Sequence, residues 1–344
     1  MSFTRFLLGL FIVVAALAGL SADTSAVPYS FTEQLDSNPF TSSGGNFSIS
    51  SAPGLSPDTY NQFTWNGASA SKFAGDPAGS LVVVYDSSKP AVRLERTLPV
   101  TLGLDRDFSI GAIMTISSDG FTAPSTDYFE MSFGLANHTQ TGGNRSGSAT
   151  EGADVYHSVE FDYFPNEAFW GGPTLQVCAF GEKLAGTDTN AFSNFGSPGF
   201  NEGDLGSNGS GQITALPLDT PLDIDMSFDA LTQIITLTVS RIESDGSLTQ
   251  LLLSDTGVID IDLSGAEYDG GAYASNNFDK TYPFSLDSLV ITSYFDYWAA
   301  GSPSLYASVE FDGFTFEASD TVPEPVTLLL TATGVLALLR RRLR

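Results

Sequence analysis

The sequence predicts an all-β protein, an antiparallel β-sandwich or barrel of many short strands. Three observations lead there. Apolar and polar residues alternate with period 2 in ten runs bounded by Gly, Asn, Asp, Ser and Pro. No amphipathic helix can be drawn through the body of the chain. The 344 residues include 26 Phe and 12 Tyr, enough aromatic mass to bury a large core. Strands without helices close as a sandwich or a barrel.

The runs fall at 81–85, 108–116, 128–135, 155–164, 175–180, 222–228, 234–242, 248–253, 286–291 and 305–316. Turn chemistry separates them at Ser118-Asp119-Gly120, Ser244-Asp245-Gly246 and Asp269-Gly270-Gly271. The runs either side of Asp245-Gly246 read as a hairpin. Two stretches rich in Gly, Asn, Ser and Thr, 136–153 and 185–212, read as long loops, where binding often sits on a β scaffold. Ser-Val-Glu-Phe-Asp occurs twice, at 158–162 and 308–312. Alternation puts Val and Phe of each copy on the core and turns Glu and Asp outward or into a site.

The two ends differ from the body. Arg5, an apolar run at 6–20 and the small residues Ser21-Ala22-Asp23-Thr24-Ser25-Ala26 follow the plan of a secretory signal, so residues 1–26 are expected to be cleaved. The body is expected at 27–318. Residues 319–344 carry Pro323-Glu324-Pro325, an apolar run at 326–339 and Arg340-Arg341-Arg342-Leu343-Arg344. The prolines exclude helix before the run, which is then expected as a short hydrophobic transmembrane helix held by arginines on the cytoplasmic side. This tail resembles the PEP-CTERM sorting signal of Gram-negative bacteria. The resemblance implies an exosortase-type processing enzyme as partner, transient residence in the inner membrane, and delivery to the cell surface or the extracellular matrix.

The net charge is -26, and five of the 14 basic residues sit at the two ends, so the body is more acidic than the whole. Such a body repels nucleic acid and attracts cations such as Ca²⁺. The single cysteine, Cys178, cannot form an internal disulfide, and His138 and His157 are too few for a histidine metal cluster. No nucleotide-binding loop, nucleophile elbow or zinc spacing occurs.

The segment His157-Ser158-Val159-Glu160-Phe161-Asp162-Tyr163-Phe164-Pro165-Asn166 holds the chemistry. Glu160 and Asp162, two apart on a strand, project from one face, and Asn166 is expected where the strand gives way to a loop. Oxygen ligands so placed suit a hard cation; simple solvation of both carboxylates is the alternative. The segment resembles the metal-binding strand of legume-type lectins, with the concanavalin A-like jelly roll. The family pattern Glu-x-Asp-x-aromatic-Pro-Asn is matched by Glu160, Asp162, Phe164, Pro165 and Asn166. The resemblance implies Glu160 on a transition metal, Asp162 between two metals, and the Phe164 carbonyl and Asn166 on Ca²⁺, with Asn166 also touching sugar. Asp127-Tyr128 leading into residues 131–137 resembles the strand after the lectins' sugar-binding Asp, although the Asp is offset here. Two family ligands are replaced by Gly171 and Gln176, which leaves one Ca²⁺ rather than two metals. Trp170, beside Gly171-Gly172, is the candidate platform for a sugar ring.

Laminarinase-type glycosidases share that fold and carry Glu-x-Asp-x-x-Glu on the corresponding strand. Here Pro165 stands in the last place and cannot donate a proton, so no retaining mechanism is expected and the protein is read as a non-enzyme. The expectation is a lectin-like module that binds extracellular polysaccharide. A structural matrix protein without discrete sugar binding is the alternative.

Overall fold

Alternation decides which side of each strand is buried, and the pattern is plainest in the strand Leu222–Asp229. Its Leu222, Ile224, Met226 and Phe228 are buried, while Asp223, Asp225, Ser227 and Asp229 are not. The computed structural model describes residues 29–51, 62–86, 92–119, 131–138, 157–167, 172–180, 193–196, 215–253, 257–263, 284–293 and 306–319. Among them are sixteen strands and one short 3-10 turn at Thr41–Ser43.

In chain order the strands are β1 (Tyr29–Glu33), β2 (Ser48–Ser51), β3 (Phe63–Asn66), β4 (Ser80–Asp86), β5 (Val92–Leu102), β6 (Phe108–Ile116), β7 (Met131–Ala136) and β8 (Ser158–Glu167). There follow β9 (Gly172–Phe180), β10 (Ser193–Gly196), β11 (Leu222–Asp229), β12 (Ile234–Ile242), β13 (Leu248–Gln250), β14 (Ile259–Asp262), β15 (Leu286–Ser293) and β16 (Tyr306–Ala318). They form two antiparallel sheets. The first runs β13-β12-β11-β6-β16-β4-β3, with β1 also on β16 and β14 also on β12. The second runs β10-β9-β8-β7-β15-β5-β2. The all-β, two-sheet expectation is met. The signal segment and the C-terminal helix fall on residues outside those described.

The sheets meet through aromatic side chains. Phe133 of β7 packs against Phe311 and Phe314 of β16, with ring centroids 6.4 and 6.2 Å away. A second group joins Phe108, Phe228 and Phe284, at 5.2–6.2 Å. Phe311 and Phe314 are an odd number of residues apart, yet both point inward. A β-bulge between Phe311 and Gly313 makes this possible by giving β16 one extra residue opposite β6.

The structure corrects several strand expectations. β5 was not expected, because Arg93, Glu95, Arg96 and Pro99 mask the alternation of Leu94, Leu98 and Leu102. The run expected at 248–253 pairs as a strand only over Leu248–Gln250, and the expected hairpin does form, with Ile242 opposite Leu248. Gly246 turns it, with φ +84°. β8 continues to Glu167 across a bulge after Phe164, so Asn166 lies within the strand rather than in a following loop.

The second Ser-Val-Glu-Phe-Asp copy turns its Glu and Asp to the outer side of the sheet, as alternation predicts, and there the Asp is covered. Asp312, the bulge residue, is fully buried on the outer side of its sheet. Lys72 donates to both of its carboxylate oxygens at 2.7 and 2.8 Å and reaches Glu310 at 3.1 Å; the Ser80 hydroxyl donates to Glu310 as well. Burial pushes the Asp312 carboxyl up to about 6; Lys72 pulls it back, and Asp76 and Glu310 push it further up.

Replacing Lys72 by Met leaves a buried carboxylate without its ammonium. It should cost about 3–5 kcal/mol in urea unfolding, and adding Asp312→Asn should recover most of that. Because the folded-state value lies above the ordinary one, Asp312 takes up a proton in the folded chain before it does in the unfolded chain. Its contribution therefore grows as pH falls through about 6 and is lost above it. Stability profiles of the wild type and Asp312→Asn should diverge in that window.

Candidate functional site

Sequence alone places Glu160 and Asp162 on the outer side of β8. Register shows what stands beside them. Across the second sheet, Glu95, Val290, Gly134, Glu160 and Cys178 form one row. Arg93, Thr292, Ser132, Asp162 and Gln176 form the next. The row between them, on the opposite face, is Leu94, Ile291, Phe133, Phe161 and Val177, all in the core. The strand therefore carries an apolar side and a polar side, as its alternation predicts.

The polar side is not solvated. Glu160 is 1% exposed and Asp162 is 0% exposed, and Arg93, Glu95, Ser132 and Thr292 are buried with them. This overturns the alternative of solvated carboxylates. Gly134 makes room for Glu160: a Cβ at that position would stand 2.3 Å from the Val159 carbonyl oxygen and 2.8 Å from Glu160 Cγ.

Charge compensation on this face is uneven. Arg93 Nε donates to Glu95 Oε1, and Glu95 Oε2 meets His138 Nδ1. Arg93 and Asp162 share a row but lie three strands apart, roughly 14 Å. Among the described residues neither oxygen of Asp162 has a hydrogen-bond partner, nor does the Ser132 hydroxyl opposite it. The Asp162 charge is felt through the sheet. The Tyr85 hydroxyl donates to the Ser132 carbonyl at 3.2 Å, and burial first, then Asp162, raise that phenol so that it stays protonated. On the core side Tyr163 accepts the Leu216 N–H at 3.1 Å, and burial pushes its hydroxyl up to about 12.

A buried carboxylate without a counter-charge is held at a cost of several kcal/mol. The oxygen donors at Asp162 and Ser132 are of the type that a hard cation takes. Among the described residues no three His, Cys, Asp or Glu converge to complete such a site. The other expected ligands are placed only in part. Phe164 and Asn166 lie on β8 with side chains outside the description, and Asp127 and Trp170 fall outside the described residues, as do Pro323, Glu324, Pro325, Arg340, Arg341 and Arg342. Arg93, Glu95, Ser132 and His138 were not anticipated. The charged residues alternating with Leu94 and Leu98 were the available signal for the first two.

No family model matches the chain, and no curated protein matches it. Solved structures of lectins do. A Lotus tetragonolobus seed lectin aligns at 10% identity and TM-score 0.41, covering 86% of this chain and 100% of the lectin. The metal-free form of lectin I-B4 from Griffonia simplicifolia aligns at 13% and 0.40, covering 84% and 99%. The Emp47p carbohydrate recognition domain aligns at 11% and 0.39, covering 86% and 98%.

Gly134→Ala should displace Glu160 and the β8 backbone together, since the added methyl meets backbone on one side. A loss of about 1–3 kcal/mol in denaturant midpoint is expected, with a changed near-ultraviolet dichroism from Tyr85 and Tyr163.

Proposed function

We propose that this chain is a lectin-like, non-catalytic carbohydrate-binding module that holds one Ca²⁺ on β8. The observation that carries the reading is the contrast between the two Ser-Val-Glu-Phe-Asp copies. Both aspartates are fully buried, but Asp312 is neutralised by Lys72 while Asp162 has no partner among the described residues. A divalent cation supplies the missing charge. Asp162, the Phe164 carbonyl and Asn166 would hold it, with Glu160 in the place that the resemblance gives to a transition metal, and a bound cation would fix the end of β8. Asn166, Trp170 and Asp127 are the residues proposed to meet the sugar. The buried row of hydroxyls and carboxylates supports a polar ligand rather than an apolar one. Pro165, buried in β8 where a glycosidase would need its acid, supports the non-enzymatic reading.

The terminal patterns support export, processing by an exosortase-type enzyme after a transient stay in the inner membrane, and a final place at the surface or in the matrix of a Gram-negative bacterium. Extracellular polysaccharide is the proposed partner there, and nucleic acid is not, because the body is strongly acidic.

Thermal unfolding with Ca²⁺ and with chelator tests the cation. At about 100 times the dissociation constant, Ca²⁺ should stabilise the fold by about 2.7 kcal/mol. Asp162→Asn should abolish that gain and, in chelator, be at least as stable as wild type, because it removes an uncompensated buried charge. Retention on immobilised polysaccharides should follow Ca²⁺ and disappear in Asp162→Asn. Ca²⁺ stabilisation without retention on any polysaccharide would favour the structural matrix protein, and no effect of Ca²⁺ would end the cation reading.

A further inference from the structure

We propose that the two histidines of the chain form a proton-operated latch at the corner where β7, β8 and β15 meet. In this latch, proton uptake at His157 releases the Ser285 amide while His138 remains fastened to Glu95. The inference is independent of what the β8 carboxylates bind.

His138 and His157 are the only histidines, and both lie at this corner. Asn137 is its hub. Its N–H donates to the His157 carbonyl at 2.9 Å and its side-chain amide donates to the Ser285 carbonyl at 2.8 Å. The Ser285 N–H donates in turn to His157 Nδ1 at 3.0 Å. The next residue, His138, donates its N–H to Asp287 at 2.7 Å and sets its own Nδ1 on Glu95. Three chain segments are thus closed into one ring of hydrogen bonds, next to the pairing of Ala136 with Ser158 and Ser288.

The two rings sit in different surroundings. His157 is 4% exposed and its backbone sits at φ +51°, a left-handed conformation that a non-glycine residue adopts only when its surroundings enforce it. Its Nδ1 accepts an amide hydrogen, so that nitrogen carries no proton and the neutral ring holds its proton on Nε2. An imidazolium has two donors and no acceptor. Protonation would therefore set N–H against N–H at Ser285, bury a charge, and remove one of the bonds that hold the strained backbone. His138 has a side chain 57% exposed and a carboxylate partner. Among the described residues, the charged groups on the elements that meet here are Glu95 and Arg93 from β5, Asp287 from β15, Glu160 from β8 and His138 itself. Arg93 engages Glu95, and Asp287 receives the His138 N–H and the Ser288 hydroxyl. Acid therefore opens the His157–Ser285 bond, and the His138–Glu95 contact does not depend on it.

The test uses full-length protein with ¹⁵N-labelled histidine, together with amide hydrogen exchange. His138→Gln assigns the two ring signals. At about pH 7.5, His157 should show an unprotonated Nδ1 and a protonated Nε2. On lowering the pH to about 5, the Ser285 amide should lose protection at least about tenfold, after correction for intrinsic exchange, in step with the His157 signal. Ile224 and Met226, on the other sheet, should keep their protection. His157→Asn places an acceptor oxygen near Nδ1, suits the left-handed backbone and cannot titrate, so Ser285 protection should become independent of pH. His138→Gln should keep the Ser285 response. The proposal is overturned by a protonated His157 Nδ1 at neutral pH, or by Ser285 protection that is flat in the wild type. It is equally overturned by loss of the response in His138→Gln, or by Ile224 losing protection in step with Ser285.

Discussion

A carboxylate carried on a strand that is buried on both sides must find a compensating charge, and much of this structure is arranged around that constraint. Asp312 shows one solution. The strand bulges at that residue, the segment before β4 brings Lys72 across, and the ammonium takes both oxygens. Glu95 shows another, with Arg93 two residues before it on the same strand and His138 at the end of β7. Asp162 has neither arrangement among the described residues, although the same four residues, Ser-Val-Glu-Phe, precede it as precede Asp312. The difference lies in the neighbours that the two sheets supply.

The bulge at Asp312 also links charge to packing. Without the extra residue, Phe311 and Phe314 would lie on opposite faces of β16. With it, both reach Phe133 across the sandwich and pack against each other in a tilted pair, centroids 5.3 Å apart. One backbone irregularity thus serves the outer face and the core together. This fits the general role of bulges as devices that re-aim side chains. On the other sheet, Gly134 does related work by omission, leaving the space in which Glu160 lies against the β7 backbone.

Much of the architecture was legible in the chain. β6, β11 and β12 alternate so regularly that period 2 alone locates them, and Asp245-Gly246 marks the hairpin between β12 and β13. β5 was not legible, because its outer positions carry Arg93 and Glu95 and because Pro99 argues against a strand; the edge on which Arg96 meets Glu33 and the Phe31 ring is a product of pairing. Glu160 and Asp162 were recognisable as a same-face pair, but their burial was not. Alternation tells which residues share a face and is silent about what covers it.

The sequence by itself determined the strand class, the inward rows of Val, Leu, Ile and Phe, the acidic surface, and the identity of the carboxylates on β8. These follow from local periodicity and composition, which need no knowledge of distant contacts. Only the tertiary structure decided which carboxylates are paired. Lys72 and Asp312 are 240 residues apart, and Glu95 and His138 are 43 apart. Such pairs exist because sheet register brings distant segments to one point, and no local pattern encodes that register.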